Sequence, residues 1–89
     1  MNRVSHTTHA IAELQSKKIS VVAGAAADTD IAVTGIEVGD ALGSVIEFAS
    51  GVPTDRTATT SVTSAGNIQC SEITTGDVLL VEWYDKDAL

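Results

Sequence analysis

His6 and His9 stand three residues apart, a spacing that on a helix would put both imidazoles on one face. Such a pair can begin a metal site, but zinc takes three or four protein ligands, and no third stands nearby. Both are expected to be solvated. Asp28-Thr-Asp30 and Asp85-Lys-Asp87 each place two carboxylates two residues apart. Calcium takes six to eight oxygens, and neither segment continues into an EF-hand loop. Both read as turn or chain-end carboxylates. Cys70 is the single cysteine, which excludes an internal disulfide and a cysteine-built zinc site. Nucleophilic catalysis needs a Ser or Cys activated by a base that a third group holds. Both histidines sit near the N-terminus, whereas Cys70 follows Ile68 in a strand-like run, where a buried thiol is inert. Paired-carboxylate hydrolysis needs a cleft that a domain this small can hardly enclose. Neither common phosphate-binding glycine loop is present. These residues point to a chain that is not an enzyme and takes no metal or cofactor.

Binding chemistry is equally sparse. Phe48, Trp83 and Tyr84 are the only aromatics. Trp83 and Tyr84 are adjacent, so in a strand they point to opposite faces and cannot form one stacking platform. Charge is unevenly placed. Residues 1–18 hold Arg3, Lys17 and Lys18 against Glu13, whereas residues 19–89 hold only Arg56 and Lys86 against 11 acids. An acidic body repels phosphate backbones and anionic lipid, so neither nucleic acid nor a membrane surface is expected as a partner. No apolar run of about 18 residues is present to form a spanning helix. The N-terminus also lacks the apolar stretch of a secretory signal.

The elements that must position these residues are short. With 89 residues the chain makes one domain, which by surface scaling buries roughly 63 % of its unfolded surface. Its apolar content is mostly Ala (12) and Val (10), so burial against a partner or a second copy is expected to supplement the core. Residues 1–17 read as an N-terminal arm or short helix, with Ile11 and Leu14 on one face. Residues 18–89 read as a β-rich domain. Strands are expected at Ile19–Ala23, Ile31–Ile36, Ala41–Ser50, Thr57–Thr63, Ile68–Ile73 and Val78–Tyr84, with Gly51–Arg56 a loop broken by Pro53. Alternation in the third run puts Leu42, Ser44, Ile46 and Phe48 on one face. Six short strands separated by turn signals predict an all-β fold, a small β-sandwich or barrel.

Two further patterns constrain the arrangement. Ile36-Glu-Val-Gly39-Asp40-Ala-Leu42 is echoed by Ile73-Thr-Thr-Gly76-Asp77-Val-Leu79. Glycine permits positive φ and Asp bonds its own backbone nearby, so the echo predicts two equivalent strand entries, set in two facing sheets. The run Val78–Tyr84 is apolar on both faces apart from Glu82, which marks a central strand covered twice. In so small a chain, a neighbouring subunit is a candidate for the second cover.

Val22-Ala-Gly-Ala-Ala-Ala-Asp-Thr-Asp-Ile-Ala-Val-Thr-Gly-Ile36, Gly39-Asp-Ala-Leu-Gly-Ser-Val-Ile46, Thr63-Ser-Ala-Gly-Asn-Ile68 and Thr75-Gly-Asp-Val-Leu-Leu-Val-Glu-Trp83 together resemble small tailed-bacteriophage virion proteins, among them capsid decoration (cement) proteins. The similarity covers residues 20–84. It implies a β-rich subunit, made in the host cytoplasm and seated on the outer capsid surface of the virion. Such a subunit is often a homotrimer, clamps neighbouring major capsid proteins and carries no catalysis. Residues 1–17 lie outside the similarity. On this reading Val4, Ile11 and Leu14 anchor the arm on a neighbour, and Arg3, Lys17 and Lys18 meet acidic groups there. The competing expectation is a head- or tail-fibre-type module that recognises a host surface glycan.

Overall fold

The computed structural model describes residues 17–87. Seven strands form within them: β1 Lys17–Ala23, β2 Ile31–Ala32, β3 Ala41–Ala49, β4 Val52–Asp55, β5 Thr60–Ser64, β6 Asn67–Cys70 and β7 Val78–Tyr84. A single 3-10 turn, Thr57–Thr59, precedes β5. The strands make two antiparallel sheets, ordered β1-β7-β3-β4 and β2-β6-β5. The result is the small all-β sandwich that the turn spacing predicts. The segment 1–16 lies outside the described residues. Lys17, assigned above to the arm, is the first residue of β1 and pairs with Tyr84.

β7 occupies the centre of the larger sheet, as its two apolar faces require. Its inward side chains Leu79, Val81 and Trp83 join Val45 of β3. Opposite them, Ile31, Val33, Ile36 and Ile68 complete one buried cluster. The smaller sheet therefore covers one face of the larger sheet.

Three local features depart from simple alternation. First, a bulge between Leu42 and Ser44 shifts the β3–β7 register. Leu42 thereby pairs with Trp83 and packs on the core, instead of sharing a face with Ser44, Ile46 and Phe48. Gly43 is the extra residue, and a Cβ there would lie 3.0 Å from the Tyr84 ring. Second, the expected loop 51–56 contains β4. Ser50 and Gly51 both have positive φ (51° and 81°), a type I′ turn whose twist matches a two-residue hairpin joining Ala49 to Val52. Pro53 is tolerated because β4 is the sheet edge, where a missing N–H costs no ladder bond. Third, β2 ends at Ala32, because Ile36 N–H bonds the Val33 carbonyl at 3.2 Å in a turn that buries both side chains.

The I-x-x-G-D echo is real in the backbone. Asp40 N–H bonds Glu37 O, and Asp77 N–H bonds Thr74 O, each at 3.0 Å. Gly39 and Gly76 hold φ of +102° and +84° at the third position, which a type II turn demands. The two strands so launched are neighbours in one sheet, not members of facing sheets. The side chains differ too, since Ile36 is buried and Ile73 is 70 % exposed.

Candidate interaction surface

The second face of the four-stranded sheet has no cover among the described residues. Registers define its rows. Val21 lies beside Leu80, which lies beside Ile46. Ala23, Val78, Phe48 and Pro53 form the next row. Ile19, Glu82 and Ser44 form a third. Ile19 and Val21 are 60 % and 68 % exposed, and Val78 and Phe48 are also open to solvent. Ile46 and Leu80 are half-buried by these neighbours. Single exposed apolar side chains such as Val38 or Ile73 are ordinary on a soluble surface, but a contiguous patch is not. With strands about 4.8 Å apart and about 3.4 Å of rise per residue, four strands of about seven residues present roughly 450 Å².

One end of this face is polar. Glu82 accepts from Ser44 Oγ at 3.1 Å and faces Lys17 Nζ at 3.6 Å. Lys17, Glu82 and Asp55 are its only charged groups among the described residues, so it is far less negative than the rest of this acidic chain.

A second polar group lies on the inner side of β3, at the sandwich rim. Glu47 is buried and accepts from Arg56 Nε at 2.8 Å. Hydrogen bonding from Asp77 and from Arg56 holds Glu47 below its ordinary pKa. Asp77 is pushed up by its proximity to Glu47, and burial adds to the effect. The cluster is a structural clamp. Arg56 N–H bonds the Val45 carbonyl at 2.7 Å, and the Arg56 carbonyl accepts from Thr59 N–H and from the Thr60 hydroxyl. It thus ties the crossover from β4 to β5 onto β3.

Other polar side chains also serve the fold. Asp40 accepts from Glu37 N–H at 2.8 Å and from Lys86 N–H at 2.9 Å. Asp30 accepts from Gln69 at 2.7 Å, and Asp85 accepts from Asp87 N–H at 2.9 Å. No group of His, Cys, Asp and Glu side chains able to hold a metal occurs among the described residues. Cys70 is buried beside the Thr59 hydroxyl at 3.6 Å.

Arg3, Val4, Ile11 and Leu14, expected to contact a partner, lie outside the described residues, as do His6 and His9. Lys17 and Lys18 are described, and alternation sends them to opposite faces of β1. Lys17 joins Glu82 on the open face, and Lys18 shares the inner side with its register partner Trp83. The open face itself was signalled by β7 being apolar on both sides. Its extension onto β1 through Ile19 and Val21 needed the register. No family model, no curated protein and no solved structure matches the chain.

Proposed function

We propose that the chain is a structural virion protein, a decoration (cement) subunit on the outer surface of a phage head that works as a homo-oligomer. It joins neighbouring major capsid proteins by contact area and does no catalysis. The observation that supports this reading is the open apolar face of Ile19, Val21, Ile46, Phe48, Val78 and Leu80 on a sandwich whose other face is already filled. A face of this kind gains free energy from covering, at about 25 cal/mol per Å² of apolar surface buried. The segments that resemble virion proteins include most of β7 and most of β3, the two middle strands of that face. In the same reading Val4, Ile11 and Leu14 add anchorage, and Arg3, Lys17 and Lys18 meet acidic groups of the capsid.

The test is reconstitution. Purified chain is mixed with heads that lack it, and bound protein is measured after sedimentation. Binding is expected for the native chain, weakened at least tenfold by Val21→Glu and also by the pair Ile11→Ser and Leu14→Ser. A chain that ignores every capsid offered, or that binds equally well with Val21→Glu, would refute the reading.

A further inference from the structure

β1 is an edge strand whose outer backbone row meets no other described strand. The other edge of the sheet, β4, is blunted by Pro53 and lasts only four residues. β1 runs for seven residues and contains no proline, glycine or bulge. We infer that β1 pairs antiparallel with β1 of a second copy about a two-fold axis through Ser20, giving one eight-stranded sheet across two chains.

The register follows from faces and charges. Residues directly opposite in an antiparallel pair share a face, so the inner sides of both copies stay together only if paired residue numbers sum to an even value. Centring on Ser20 lets all seven residues pair. Ile19 then meets Val21 of the second copy, and Val21 meets its Ile19, which covers two of the most exposed apolar side chains with each other. Lys18 comes opposite Val22 of the second copy, on the inner side. Val22 borders a cavity of about 340 Å³ that Asp30 and Ile31 also line, so the Lys18 ammonium enters beside a carboxylate. The symmetry makes this contact twice. The Cα atoms of the two Lys18 residues stand about 14 Å apart across the axis, beyond a Debye length, while each lysine lies beside Asp30 of the other copy, so the charged contact between the copies is attractive.

Joining the copies also makes the open faces continuous. Two faces side by side double the sheet footprint offered to a further partner, from roughly 450 to about 900 Å². The pairing itself does not depend on what that doubled face docks onto. It closes at two copies, unlike the trimer that the virion resemblance implies.

The experiment uses the full chain. Light scattering is expected to give twice the 9.2 kDa chain mass. Lys18→Glu and Asp30→Lys are each expected to weaken the dimer about tenfold, with the double variant restoring it. Ser20→Cys is expected to form a disulfide-linked dimer with diamide, since paired Cα atoms about 4.5–5.5 Å apart fit disulfide geometry. Val22→Cys lies about 14 Å from its symmetry mate and is expected not to cross-link. A monomer or a trimer in solution, equal cross-linking at both sites, or no rescue by the charge swap would overturn the inference.

Discussion

Arg56 Nε donates to the buried Glu47 carboxylate at 2.8 Å at the rim of the sandwich, and Asp77 stands beside the same carboxyl group. The guanidinium and Asp77 hold the Glu47 carboxyl below its usual value, and Glu47 in turn holds Asp77 above its own.

A pH dependence with two opposed limbs is expected. The lowered Glu47 pKa stabilises the fold above the ordinary carboxylate value, and that contribution is lost as pH falls through the folded-state value. Asp77 has the opposite sign. Its raised pKa stabilises the fold below the ordinary carboxylate value, and that contribution is lost as pH rises through the raised value. Melting temperature should therefore fall as Glu47 is protonated below the ordinary carboxylate value and fall again as Asp77 ionises above it. Asp77→Asn keeps a donor to Glu47 and should abolish the decline on the upper side. Thermal melts across about pH 4–8 check this, and an unchanged decline in the variant would count against it.

Arg56 should be worth more to its partner than to solvent. Arg56→Met leaves a buried Glu47 carboxylate without its counter-ion, and a lone buried charge is strongly unfavourable. The single variant is expected to melt at a lower temperature than the double variant Arg56→Met with Glu47→Gln. Thermal unfolding of the four-member cycle measures that coupling.

Close approach fixes Gly24. A Cβ there would collide with the carbonyl and hydroxyl of Thr74, whose Oγ1 accepts from Ala25 N–H at 3.0 Å and donates to Ala25 O at 3.2 Å. Gly24→Ala should cost about 2 kcal/mol or more by forcing these segments apart. Thr74→Val should cost about 1–3 kcal/mol, because it strips two polar partners from a fully buried site. Urea unfolding reads both.

Opposite faces of one sheet should respond differently. Leu79 is fully buried, and Leu79→Ala is expected to cost about 2–5 kcal/mol. Val21 is 68 % exposed, and Val21→Thr should stay within about 0.5 kcal/mol of the native chain while reducing self-association. A large loss of stability from Val21→Thr, in chain held dilute enough to be monomeric, would show that its face is already covered.

Much of this was readable in order of residues. The run Val78–Tyr84 announced a central strand because both of its faces are apolar. The Gly39-Asp40 and Gly76-Asp77 pairs announced two strand entries because only glycine takes positive φ cheaply there. The strand of Pro53 was hidden, since proline reads as a breaker unless the strand is known to be an edge. The clamp of Glu47, Arg56 and Asp77 was hidden too, because its members stand 9 to 30 residues apart and carry no spacing rule.

Residue order alone determined the all-β class and the small size of the core, because these follow from composition and local period. Only the tertiary structure decided which apolar face is filled and which is left open. A bulge at Gly43 turns Leu42 inward, and the order β1-β7-β3-β4 sets Ile19 and Val21 beside Leu80 and Ile46. Side-chain alternation has a period of two, so one inserted residue or one change of neighbour reassigns a whole face, and no local pattern records that choice.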